Sequence, residues 1–179
     1  MKVVESIPKE QEILFAPDKN LGTYINKQTG RQMVLWNGAC VVHEAFSLDK
    51  MITLKLQYKN AKIVAHPESE EQILKYSNFI GSTSEMINYI LSSQDDVFIV
   101  ATEEGILHSL RNKIPDKLLI PAPVYEDNIC ACGECGYMKI NTLQKLHDCL
   151  LFEFPEILVS DDLQAKAIIP IEKMLKIKL

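Results

Sequence analysis

The sequence has no apolar run long enough to cross a bilayer, and its opening residues, MKVVESIPKEQE, lack the layout of a secretory leader. It also lacks an excess of positive charge: 19 Lys and Arg stand against 24 Asp and Glu, a net charge of −5. A chain of that balance is a poor general binder of polyanions, so no nucleic-acid partner and no membrane partner is expected. There is no even set of cysteines either. Five cysteines cannot all pair, and the chain reads as cytoplasmic, where clustered thiols serve as metal ligands or redox groups. Finally, the composition lacks the bias of a disordered chain: 47% of residues are hydrophobic and 24% charged, as in an ordinary globular protein.

Short β-branched runs are plentiful. EILFA (12–16), QMVLW (32–36), AKIVA (61–65), DVFIVA (96–101) and KLLIP (117–121) have strand length, and several show no polar alternation, as strands covered on both faces should. Helix-like segments lie between them at 18–29, 44–58, 69–76, 84–93 and 103–113. Alternation of this kind predicts an α/β fold with short parallel sheets. The chain also repeats faintly: helix, strand, helix, strand and cysteine run up to Cys40, and the same order recurs from Glu85 to the cysteines after residue 129. Leu14–Pro17 falls opposite Phe98–Ala101 in this comparison. Met1–Ile7 reads as a helix already under way, without a cap.

Three stretches carry the residue types of a reactive site. NICACGECGYMKIN holds Cys130, Cys132 and Cys135, and the Cys-x-x-Cys pair within it suits zinc or iron. Three thiols are one short of a closed four-ligand site, and the other candidates are Cys40 and His43 in NGACVVHEAF. AHPE follows a buried strand, where α/β sheets bind ligands; His66 can donate to a carboxylate and Glu68 can act as a base. GSTSEM opens a helix with a Ser82–Glu85 capping box, and its hydroxyls also suit an anion. Cys149, among apolar residues in HDCLLF, reads as a core residue, and His108 and His147 carry no assigned role.

Together the stretches VVESIP, LFAPDKNLGTYINKQTGRQMVLWNGACVVHE, AHPE, GSTSEMI, GILHSLRNKIPDK and CGECGYMKINTL resemble the quinolinate synthase family. The resemblance implies three-layer αβα units about a pseudo-threefold axis, of which about two are present. It implies an incomplete second unit over 1–42, a third unit over 43–138 and a C-terminal helical segment over 139–179. Each unit of the family gives one cysteine to a 4Fe–4S cluster with one open iron corner. By that resemblance Cys40 and Cys135 are cluster ligands, with Cys132 and His43 as accessory candidates and Cys130 unmatched. His66, Pro67 and Glu68 face substrate, Glu68 being the better candidate for proton transfer, and Thr83 is a substrate-binding hydroxyl. The implied reaction, a transferase step of NAD biosynthesis, condenses iminoaspartate with dihydroxyacetone phosphate to quinolinate, in functional linkage with L-aspartate oxidase.

The family's first unit, with its own cysteine and histidine, has no counterpart in these 179 residues. The expectation is therefore a truncated gene model, a split gene with a separately encoded N-terminal portion, or a decayed copy, holding a cluster poorly and inactive by itself. Two alternatives use the same residues differently. One is a non-catalytic zinc- or iron–sulfur-binding module built on Cys130, Cys132 and Cys135 with Cys40 or His43. The other is an interaction domain with incidental cysteines.

Overall fold

Strands that are apolar on both sides need cover on both sides, and that need organises the fold. The computed structural model describes residues 1–125 and 133–177. It divides into two compact units, Ile13–Gly136 and Met1–Glu12 with Tyr137 onward. In chain order the elements are α1 (Lys2–Glu5), β1 (Leu14–Phe15), α2 (Lys19–Thr29), β2 (Val34–Leu35), α3 (Leu48–Gln57), β3 (Lys62–Ala65), α4 (Glu71–Tyr76) and β4 (Phe79–Ile80). They continue with α5 (Thr83–Ser92), β5 (Val97–Ala101), α6 (Gly105–Lys113), β6 (Leu118–Pro121), a 3₁₀ turn at Met138–Ile140, α7 (Leu143–Phe152) and α8 (Asp161–Leu175). All five strand runs read from the sequence are strands, and each of the five helix-like segments contains one helix.

In the unit Ile13–Gly136, β1 and β2 pair in parallel, and a second parallel sheet has the order β4-β3-β5-β6. Successive side chains of its central strands point to opposite faces. Ile63, Ala65, Ile99 and Ala101 join Met51 of α3 and Ile73 of α4 in one buried cluster. Val64, Phe98 and Val100 join Met86 and Ile90 of α5 and Leu107 and Leu110 of α6 in another. Helices thus cover both faces in three layers, which explains why these strands show no polar alternation. The chain steps outward from β3 to β4 through α4, then returns across β3 to β5 and β6 through α5 and α6. Right-handed crossovers in opposite directions require helices on opposite faces, as found. The reversal makes the β3/β5 pair a topological switch point, with a crevice beyond Ala65 and Ala101.

Strand, helix and parallel paired strand recur in this unit as β1-α2-β2, β3-α4-β4 and β5-α6-β6, the first and last in the order the sequence repeat predicts. The small sheet leaves Leu14, Val34 and Trp36 exposed. In the other unit, α1 has no side-chain cap, and Thr142 caps α7 by accepting from the Lys145 N–H at 3.2 Å. Cys149 of α7 is exposed, contrary to the core position expected from its apolar neighbours. Those neighbours, Leu150, Leu151 and Phe152, are exposed as well, so apolar sequence context around Cys149 did not translate into burial. No described helix is long and apolar enough to cross a membrane.

Candidate metal and substrate site

The crevice beyond β3 and β5 is where the sequence-predicted residues meet. His66 follows Ala65 directly, and its backbone N–H donates to the Ala101 carbonyl at 3.0 Å, which extends the ladder one step and fixes where the loop departs. Pro67 is buried, and the Glu68 N–H donates to His66 Nδ1 at 3.4 Å. A neutral His66 then carries its proton on Nε2. From the other side come Cys40 and His43, held in a tight turn in which the Glu44 N–H donates to the Cys40 carbonyl at 3.1 Å and the Ala45 N–H to the Val42 carbonyl at 3.1 Å. One ligand atom each from Cys40, His43 and Glu68 lie within 4.8 Å of one another. Their separation in sequence is closed only by the fold.

His43 is the centre of the group. It is 6% exposed and its ring stacks on that of His66 at 4.7 Å and 14°. Nε2 shares a hydrogen bond of 3.2 Å with the Thr102 hydroxyl, at the end of β5. Nδ1 lies 3.1 Å from a Glu68 oxygen, close enough for an ion pair but off the line of an aligned hydrogen bond, so this ring nitrogen is buried without an aligned partner. Burial by itself would lower the His43 pKa. The Cys40 thiol and the Glu68 carboxylate outweigh it and raise it to about 9. The same contacts work in reverse: the close approach of the His43 ring lowers the pKa of Cys40 and of Glu68. Burial lowers the His66 pKa, and the charge of His43 lowers it further. The site therefore favours a charged His43, a neutral His66 and an ionised Glu68, with the Cys40 thiolate made easier to form.

Cys40 is positioned by a residue that sequence reasoning passed over. Asp18, 3% exposed, accepts from the Cys40 N–H at 2.9 Å with one oxygen and from the Leu21 N–H at 2.8 Å with the other. It is the N-cap of α2 and a clamp on the cysteine loop at once. A matching arrangement holds Cys135. One Glu103 oxygen accepts from the Cys135 N–H at 3.4 Å and the other from the Gly105 N–H at 2.8 Å, at the start of α6. Both repeats thus use a carboxylate between first strand and helix to anchor the backbone of a later cysteine. The signal was an acidic residue just before each helix, in PDKNLG and in ATEEG.

Cys40 and Cys135 are half-buried and pack against the same cluster of buried residues. Anchored loops, partial burial, a shared apolar floor and a lowered Cys40 pKa fit two corners of an iron–sulfur cluster. The Cys40–His43–Glu68 group, one sulfur, one nitrogen and one oxygen, also fits a single zinc-like ion. Thr83 is the exposed first residue of α5, three positions past β4, whose Ile80 pairs with Ala65 of β3. Its Ser82 neighbour forms the expected capping box with Glu85. Cys130 and Cys132 lie outside the described residues.

Comparison with known proteins shows the family. A family profile described as "Quinolinate synthetase A protein" matches residues 1–176. The quinolinate synthase of Microcystis aeruginosa is 52% identical over 176 residues, 98% of this chain and 54% of the relative. That of Chloroherpeton thalassium is 50% identical over 177 residues, 99% of this chain and 55% of the relative. That of Thermosynechococcus vestitus is 48% identical over 176 residues, 98% of this chain and 55% of the relative. The chain spans about half the length of the curated relatives it matches.

Proposed function

The chain belongs to the quinolinate synthase family, and from that premise we propose that it supplies part of an active site condensing iminoaspartate with dihydroxyacetone phosphate to quinolinate, with loss of phosphate and water. The observation that carries the reading is the convergence of Cys40, His43, His66 and Glu68 at the sheet's switch point, with Cys135 on the same apolar floor. Cys40 and Cys135 are two thiolate ligands of a 4Fe–4S cluster, with Cys132 and His43 accessory. A third thiolate comes from family sequence that these 179 residues do not span. In this reading 1–42 and 43–138 are successive αβα units, each ending near its cysteine, followed by the helical segment 139–179. The setting is cytoplasmic NAD biosynthesis, linked to an L-aspartate oxidase as the source of iminoaspartate.

When bound, the cluster offers a Lewis-acidic iron corner to substrate oxygens. The remaining work falls to side chains. His66, neutral and protonated at Nε2, donates a hydrogen bond to a substrate carboxylate. Glu68, kept ionised by His43, accepts a proton from carbon or nitrogen during the condensation. Pro67 restricts the backbone between them, so both are presented from one rigid turn. The positive charge on His43 partly offsets the negative charges of Cys40 and Glu68 and so lessens their repulsion of an incoming carboxylate. Thr83 offers a hydroxyl at the N-terminus of α5, where free N–H groups favour an anion.

The Cys40–His43–Glu68 geometry specifically favours a second reading, a mononuclear zinc site in a binding module. Anaerobic reconstitution separates the two. Iron and sulfide with a broad band at about 400–420 nm, typical of iron–thiolate clusters, support the first reading, above all if the yield rises when a polypeptide covering the rest of the family sequence is added. Stoichiometric zinc in a colourless protein, lost in Glu68→Ala, supports the second.

A further inference from the structure

Four consecutive residues at the end of β5, Ala101–Glu104, each tie down a point on the loops that carry the crevice residues. The Ala101 carbonyl accepts from the His66 N–H at 3.0 Å, and the Thr102 hydroxyl shares a hydrogen bond of 3.2 Å with His43 Nε2. Glu103 accepts from the Cys135 N–H at 3.4 Å, and the Glu104 N–H donates to the Gly133 carbonyl at 3.0 Å. His43, His66 and Cys135 stand on three separate loops, and all three loops are tied to β5.

A strand end suits this task. Phe98, Ile99, Val100 and Ala101 are 0–1% exposed, so β5 is packed on both faces, and residues just beyond it inherit a fixed place. Successive side chains leaving an extended strand point apart, which lets Thr102 reach His43 while Glu103 reaches the Cys135 loop. Thr102 is 7% exposed, too shielded to meet a substrate. Its hydroxyl can accept from Nε2 or donate to it, so it holds the imidazole in either tautomer. The stacked His66 ring sets the plane of the His43 ring, and Thr102 sets the rotation within that plane. Nδ1 has no aligned partner among the described residues, so the bond at Nε2 is what turns Nδ1 toward Glu68. At the other loop, Gly133 has φ 69°, a left-handed conformation that favours glycine, and the bonds from Glu104 and Glu103 hold the chain on either side of the following residue.

We propose that Thr102 and Glu103 are positioning residues: Thr102 fixes the His43 ring and Glu103 the Cys135 loop, so that the end of β5 sets the spacing between the imidazole pair and the cysteine. The inference rests on the reading of the crevice given above and adds to it two residues that act through others.

NMR of the metal-free full chain tests the positioning, and iron retention after anaerobic reconstitution tests its use. Thr102→Val keeps the packing and removes the hydroxyl, whereas Thr102→Ser keeps the hydroxyl and removes a methyl. Thr102→Val should shift the His43 ring nitrogens and speed the release of iron to a chelator about tenfold, and Thr102→Ser should stay within about twofold of the wild type. A role in packing alone gives the reverse order. Glu103→Ala should speed amide exchange at Cys135 about tenfold, the loss of one hydrogen bond, and leave the His43 ring signals in place. Thr102→Val equal to the wild type in either measurement, Thr102→Ser worse than Thr102→Val, or unchanged Cys135 exchange in Glu103→Ala would each overturn the proposal. If Thr102→Val does not fold, the wild type decides: the shared bond gives a slowly exchanging proton close to both the His43 ring and the Thr102 methyl, and its absence overturns the proposal. A wild-type chain that takes up no iron and sulfide counts against the reading of the crevice, while the metal-free spectra still decide the positioning.

Discussion

Replacing Asp18 with alanine tests the clamp that positions Cys40. Two interactions are lost. The first is the N-cap bond to the Leu21 N–H, a loss that costs about 0.5–2 kcal/mol. The second is the bond from the Cys40 N–H, a half-buried donor left without its acceptor, which costs about 1–3 kcal/mol and toward the lower end because water has partial access. Together they predict a destabilisation of about 2–4 kcal/mol. With a urea m-value of about 2 kcal/mol/M, a loss of about 3 kcal/mol lowers the midpoint by about 1.5 M. Trp36, the sole tryptophan, stands just after β2 and reports unfolding of the same unit by fluorescence. Asp18→Asn keeps one accepting oxygen and should fall about halfway. A midpoint shift under about 0.3 M for Asp18→Ala, or an asparagine variant as damaged as the alanine variant, would refute the clamp.

Further outcomes follow from the same geometry. Cys40→Ser and Cys135→Ser should each reduce iron and sulfide incorporated on anaerobic reconstitution, whereas Cys149→Ser, at an exposed position, should leave both unchanged; metal analysis of the three variants checks this. The capping box at α5 should depend on pH, because the hydrogen bond with Ser82 lowers the Glu85 pKa below its unfolded value. A depressed carboxyl stabilises above its unfolded pKa and loses that contribution as pH falls through its folded pKa. Amide exchange at Ser82 should therefore speed up, beyond its intrinsic pH dependence, only as the solution is acidified below the ordinary glutamate range. Gly30 ends α2 at φ 68°, so Gly30→Ala should cost about 1–2 kcal/mol by denaturant titration. Phe98→Ala, at a fully buried position, should cost about 3–5 kcal/mol in the same assay.

Much of the fold was legible because local physics dictates it. Ile63–Ala65 and Phe98–Ala101 are apolar on both faces, which only a covered parallel strand satisfies, and Ser82 with Glu85 encodes its own helix start. Strand ends could be read to within a residue or two, because polar and proline-rich segments bound each run. Cys149 was misread because an apolar neighbourhood in sequence says nothing of which side chains find a partner in space. Asp18 and Glu103 escaped notice because an acidic residue before a helix has an ordinary local use as a cap. Their second bonds, to Cys40 and Cys135, span 22 and 32 residues and leave no local trace.

The sequence by itself determined the alternation of strands and helices, the faint repeat of strand, helix and strand that ends at a cysteine, and the presence of His66, Glu68, Cys40 and Cys135, the residues proposed to carry the chemistry. Tertiary structure decided which of them meet. The strand order β4-β3-β5-β6 puts the ends of β3 and β5 side by side, and so brings Glu68 and Thr102 to opposite sides of one imidazole, His43. It also decided the charge state there, since burial, the Cys40 thiol and a carboxylate at 3.1 Å set the His43 pKa, and none of these is a property of a residue in isolation. Local interactions choose secondary structure over a few residues, but proximity, burial and electric field are set by the packing of the whole unit.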